Sequence, residues 1–107
     1  MNELSVYMLQ CADGSYYVGV TNNVEARLYQ HNAGEADSYT WHRRPVTLVW
    51  SERTDAESAI AMEKRIKGWS RAKKEALIRG DWHEIARLAA LRQAQGDSIG
   101  RPSTSSG

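Results

Sequence analysis

The stretch Leu4-Ser5-Val6-Tyr7-Met8-Leu9-Gln10-Cys11-Ala12-Asp13-Gly14-Ser15-Tyr16-Tyr17-Val18-Gly19-Val20 holds two β-prone runs divided by Asp13-Gly14, a two-residue hairpin signal. An antiparallel pair of strands is therefore expected, about 4–11 and 15–20. Alternation puts Ser5, Tyr7 and Leu9 on one face of the first strand and Tyr17, Gly19 and Thr21 on one face of the second. Whether Tyr7 and Tyr17 share a face depends on a register that the residues alone leave open. Gly19 is notable inside a strand, where glycine weakens pairing and often marks the close approach of a ligand or another backbone.

Outward from the hairpin, Asn22 with Glu25 three residues later forms an asparagine variant of the capping box and opens a helix that stops at Gly34. Residues 35–45 read as a polar and aromatic loop. A third strand is expected over 46–52, then a helix from about Asp55 to Gly68 capped by Thr54 and Glu57. Ser70 caps a short basic helix ending at Arg79-Gly80, and Asp81 with Glu84 opens a last one. From Gln93 the composition turns to Gln, Gly, Ser, Thr and Pro, so the expected organisation is one domain over 1–92 and a disordered polar tail over 93–107. The expected class is α/β, a small three-stranded antiparallel sheet flanked by helices.

Charge is unevenly placed along the 107 residues, whose formal net charge is +1. Residues 1–39 carry one basic and five acidic side chains, whereas residues 40–80 carry ten basic and five acidic. A basic middle segment suits a polyanion, although the same residues could simply coat solvated helix faces. Cys11 is the sole cysteine, so no internal disulfide is possible and a reducing compartment is the default. No signal-like N-terminus or membrane-length apolar run is present, which gives a cytoplasmic expectation.

Three groups of side chains could carry chemistry. Glu63 falls on the stripe Ala59, Ile60, Met62, Glu63, Ile66, where a carboxylate is costly unless paired or metal-bound; Lys67 at i+4 offers the plain alternative. Arg27 and His31 stand one turn apart and could converge on an oxyanion, or could belong to a solvated helix face. Tyr16-Tyr17 could equally be a cross-strand packing pair.

Their order and spacing resemble one family. Val6-Tyr7 followed by Tyr17-Val18-Gly19 is similar to the paired Gly-Ile-Tyr and Tyr-Ile-Gly signatures of the GIY-YIG nucleases, and Arg27, His31 and Glu63 fall where that family's later motifs do. The likeness covers about residues 4–80 and is strongest to small standalone bacterial members. Ser5 stands where the first signature has Gly, Val20 where excision-repair relatives have lysine, and no Asn follows Asn32, although many relatives have one beyond the glutamate.

The resemblance implies an endonuclease that hydrolyses nucleic-acid phosphodiesters to a 5′-phosphate and a 3′-hydroxyl, with DNA favoured over RNA and a structure-specific repair or recombination setting. It implies one divalent metal, Mg²⁺ or Mn²⁺, held by Glu63. The implied catalytic residues are Tyr7, Tyr17 as general base, Arg27, His31 and Glu63, with Gly19 and Asn22 as structural members of the motif. A general base at Tyr17 would need positive charge nearby to make the phenol more acidic. Arg43, Arg44, Lys64, Lys67, Arg71, Lys73 and Lys74 would bind nucleic acid, no membrane is involved, and a larger protein partner stays open. The competing readings are a non-catalytic nucleic-acid-binding module with a vestigial metal site and a protein-interaction module anchored by Trp69 and Trp82.

Overall fold

The first two strands, β1 (Glu3–Gln10) and β2 (Tyr16–Thr21), meet through the five residues 11–15, a wider turn than a two-residue one. Cys11 N–H donates to the Ser15 carbonyl at 2.8 Å, Gly14 N–H returns to Cys11 at 2.9 Å, and Gly14 takes a φ of 87°. Asp13 favours this wider turn because its carboxylate accepts from both the Ser15 N–H and the Ser15 hydroxyl. The computed structural model describes residues 2–99, with side chains as far as Leu91.

Strand β3 (Thr47–Asp55) pairs on the other side of β1, giving an antiparallel sheet of order β2-β1-β3. The expected three-stranded α/β fold is thus observed, with β3 longer at its C-terminal end. Val6, Tyr7, Met8 and Leu9 are all buried, as suits a central strand covered on both faces. The register opposes Tyr7 to Gly19 and Leu9 to Tyr17, which settles the open question: both tyrosines lie on one face. There Tyr7, Leu9, Cys11 and Val46 form a core cluster, with Tyr17, Val24, Leu28 and Leu48 packed against it.

Helix α1 (Val24–Ala33) supplies Val24 and Leu28 to that cluster. Its cap is Asn23, not Asn22: the Asn23 side chain accepts the Ala26 N–H at 3.1 Å. The expected box was one residue early because β2 runs through Thr21, whose hydroxyl accepts the Asn23 N–H and holds that residue at the helix mouth. Gly34 ends α1 in the left-handed region at φ 78°, as expected. The same one-residue offset recurs at α3 (Ala56–Lys67), where Thr54 still belongs to β3 and Asp55 accepts the Ser58 N–H. Within α3, Ala59 and Ile66 are buried but Ile60 is exposed, so Ile60 does not belong to the inward stripe.

Residues 35–45 are more ordered than a loop. Asp37 caps a single-turn helix, α2 (Ser38–Trp41), by accepting the Tyr39 N–H at 2.7 Å. Asn32 joins α1 to the start of β3, donating to the Val46 carbonyl at 3.0 Å and accepting the Val46 N–H at 2.8 Å.

The chain divides into two compact units, Met1–Trp69 and the part from Ser70 onward. The second unit holds α4 (Arg71–Arg79), capped by Ser70 and ended by a left-handed Gly80, and α5 (Trp82–Ile99), whose first turn is capped by Asp81. These two helices pack on each other. Helix α5 continues through residues 93–99, where a tail was expected, because Gln93-Ala94-Gln95 are good helix formers and extend a helix already nucleated. The expected tail beyond residue 99 lies outside the described residues. No helix among the described residues is long and apolar enough to cross a membrane.

Candidate functional site

Alternation along β1 and β2 brings the Tyr7 and Tyr17 rings to 6.4 Å between centroids, and His31 from α1 packs edge-on against both, at 5.9 and 5.1 Å. Gly19 makes room for this cluster. A Cβ there would come to 2.6 Å from Tyr7 Oη, so the feature approaching Gly19 is the Tyr7 ring rather than a ligand or another backbone.

His31 is fully buried and its tautomer follows from its neighbours. The Thr40 hydroxyl proton goes to the Asp37 carbonyl at 3.0 Å, so the Thr40 oxygen can only accept from His31 Nδ1, 2.8 Å away. Nδ1 therefore carries hydrogen. Nε2 is the acceptor of a neutral ring, and Tyr7 donates its phenolic proton to it at 2.9 Å. Burial pushes the His31 pKa down from its ordinary value, and the Arg27 guanidinium adds to this, which agrees with a neutral imidazole. Tyr7 is pushed up by burial, opposed by a hydrogen bond from Arg27. Arg27 is itself steadied by a 3.0 Å bond to Gln30.

Tyr17 behaves differently from the sequence expectation. Its hydroxyl donates to Asp37 Oδ2 at 3.1 Å, and its pKa is driven upward by burial first, then by Tyr7 and by Asp37; Arg27 opposes only weakly. The surroundings keep this phenol protonated instead of making it more acidic. Asp37 is the reverse case: the Tyr39 N–H, ahead of the Tyr17 hydroxyl, stabilises its carboxylate and lowers its pKa.

Asp37 and Thr40 were missed in the sequence. The available signal was Asp37 three residues before Thr40, an N-cap residue ahead of a helical turn, hidden by reading 35–45 as a loop. Glu63 lies at the edge of the α3 stripe, its side chain 20% exposed and paired with Lys67 at 3.0 Å, and its charge acts on the Tyr7 phenol. Tyr7, Tyr17, Arg27, His31 and Glu63 thus belong to one neighbourhood within the first unit.

The expected nucleic-acid contacts are more dispersed. Arg43 pairs with Asp13 at 3.0 Å and lies over the Tyr39 ring at 3.8 Å, tying the hairpin tip to α2. Arg44 lies over Trp41 at 4.9 Å. Lys64 and Lys67 are exposed on α3, whereas Arg71, Lys73 and Lys74 belong to the second unit.

A three-stranded antiparallel sheet presenting two tyrosines, with an arginine and a histidine on the following helix and a glutamate on a later one, defines a small α/β domain. The chain belongs to the GIY-YIG family, a family of nucleases: residues 3–76 match its catalytic domain. A UPF0213 protein of Halobacterium salinarum is 51% identical over 74 residues, 68% of this chain and 96% of that one. Its counterpart in Staphylococcus haemolyticus is 47% identical over 74 residues, 68% and 90% of the two chains. In solution structures, a protein of E. faecalis superposes with a TM-score of 0.53 at 32% identity, covering 75% of this chain and 86% of that one.

GIY-YIG domains are generally divalent-metal nucleases. Among the described residues no group of three or more His, Cys, Asp or Glu could gather round a metal. Glu63 is a hard, partly exposed oxygen donor of the kind that suits a divalent cation, since such ions can keep several waters and take one carboxylate together with substrate phosphate.

Proposed function

We propose that the chain is an endonuclease that hydrolyses phosphodiester bonds of nucleic acid, DNA in the first instance, to a 5′-phosphate and a 3′-hydroxyl. The observation that carries this reading is the pairing of each site tyrosine with its own proton acceptor, Tyr7 with His31 Nε2 and Tyr17 with Asp37 Oδ2.

In this reading Arg27 holds the scissile phosphate by its fork of donors. Tyr17 receives the proton of the attacking water while its own passes to Asp37, so no free phenolate is needed. The water oxygen bonds to phosphorus, the bond to the 3′ oxygen breaks, and that oxygen takes a proton from solvent. Tyr7, hydrogen-bonded to His31, orients the water. Glu63 would hold a divalent cation, which when bound supplies charge stabilisation at the phosphate oxygens.

The test is a panel of labelled DNA and RNA forms, duplex, branched and single-stranded, incubated with Mg²⁺, Mn²⁺ or EDTA. Cleavage that EDTA abolishes and that Glu63→Gln loses while retaining affinity supports the reading. Equal cleavage by Glu63→Gln and the parent at matched purity removes Glu63 from it. Affinity without cleavage under any condition leaves a binding module.

A further inference from the structure

The helix that carries Asp37 into the site also carries two aromatic side chains that the proposed chemistry does not use. Tyr39 is 36% exposed and Trp41 48% exposed, each with a guanidinium over its ring, Arg43 at 3.8 Å and Arg44 at 4.9 Å. The first pair is internally satisfied. Arg43 is neutralised by Asp13, and the Tyr39 hydroxyl donates to Ser15 at 2.9 Å. The second pair is not so satisfied among the described residues, because the Arg44 hydrogen bonds there go to main-chain carbonyls of Trp41 and Asn32, neither of which cancels its charge.

Trp41 is also held in place. Its indole edge rests on the backbone of Gly34, where a Cβ would come to 2.8 Å from Nε1 and 2.9 Å from Arg44 Nη1. Gly34 therefore serves twice, ending α1 in the left-handed region and seating the indole and guanidinium together. Beside them is an open concavity of about 350 Å³ whose lining includes Asp37, Trp41 and His42. Asp37, one of the lining residues, is the one whose carboxylate accepts from Tyr17.

We propose that Trp41 and Arg44 form a stacking site for an unpaired nucleotide beside the reacting phosphate, the base lying on the indole and its phosphate on Arg44. The proposal rests on the nucleic-acid reading above and narrows its substrate to strands with unpaired bases. A half-exposed indole has no use for a duplex, whose base faces are already stacked on one another, whereas any unpaired base offers it a π-face. The carboxylate at the concavity repels a phosphate and can accept from an exocyclic amino group, so the base and not the backbone enters there.

The experiment uses the full chain carrying Glu63→Gln, so that bound strands stay intact, and labelled DNA of one sequence as a single strand and as a blunt duplex. Trp41→Ala should weaken single-strand binding by roughly 5- to 160-fold, the usual worth of one stacked base, and change duplex binding by no more than about twofold. Trp41→Phe, which keeps a ring, should recover most of the loss. Equal losses on both forms, or none on the single strand, overturn the proposal. A second measurement needs no Trp41 variant: a 5-iodouracil-substituted single strand irradiated with the Glu63→Gln chain should crosslink to Trp41, and crosslinks only outside residues 39–44 also overturn it. Single-strand binding through Trp41 without any cleavage by the parent would sink only the hydrolytic reading. Failure of the parent to bind either form would sink both.

Discussion

At the scale of single residues, Tyr7 and Tyr17 differ in where their phenolic protons can go. Tyr7 faces a neutral imidazole that is already hydrogen-bonded to Thr40, and Tyr17 faces a carboxylate whose other oxygen is fixed by a backbone N–H. If the proton of water leaves through Tyr17, then Tyr17→Phe should lower single-turnover cleavage by roughly 10²- to 10⁴-fold with affinity nearly unchanged. Asp37→Asn should lower it in the same assay, because the amide still accepts the Tyr39 N–H and keeps the α2 cap but cannot take a proton. Full activity in Asp37→Asn would remove Asp37 from the proton path.

A second residue-scale consequence concerns pH. His31 has its pKa lowered in the fold, so just below its ordinary value of 6.5 the unfolded chain binds more protons than the folded one. Its contribution to stability is therefore present above about pH 6.5 and is lost as pH falls through that window. The parent should melt at progressively lower temperature from pH 7 to pH 5.5, and His31→Gln should flatten that slope whatever it does to the absolute midpoint. An unchanged slope would mean that His31 is not the group responsible.

At the scale of elements, the chemistry of capping was legible and its exact position was not. Both misplaced caps, Asn22 for Asn23 and Thr54 for Asp55, lie where a strand runs almost directly into a helix, so the strand's last residues compete with the capping pattern. Hydrogen bonding decides between neighbours with equally suitable side chains, and only a folded backbone reveals it. Asn23→Ala should accordingly cost about 1 kcal/mol in denaturant unfolding, and Asn22→Ala only a few tenths. The opposite ranking would restore the sequence assignment. The two tyrosines, Arg27 and His31 were picked out by their likeness to a motif laid out along the chain, their periodicity alone leaving plainer readings open, whereas Asp37 reaches Tyr17 across twenty residues of chain. No periodic pattern predicts that meeting, and a four-residue helix is too short to leave one.

At the scale of the whole molecule, the chemistry and the positive charge fall in different units. Residues 1–69 contain the tyrosine, histidine and glutamate cluster and carry seven basic against nine acidic side chains. Residues 70–107 carry seven basic against four acidic. The basic middle segment seen in the sequence is therefore cut by the boundary between units, and its two halves should contribute differently. Lys67 belongs with the site, since it pairs with Glu63, and replacing it would disturb that carboxylate along with any phosphate it touches. Arg71, Lys73 and Lys74 lie on α4, in the second unit, and none of them is a residue of the proposed chemistry. Converting these three to alanine should flatten the dependence of log affinity on log salt by about 0.9 for each duplex phosphate that is no longer neutralised. Cleavage measured at saturating protein should hold within about twofold, because uniform binding affects occupancy rather than the reacting step. A salt slope that survives all three changes would place the electrostatic surface on the first unit, with Arg44 and Lys64 as the next residues to remove. A drop in cleavage at saturation would instead mean that α4 takes part in positioning the phosphate.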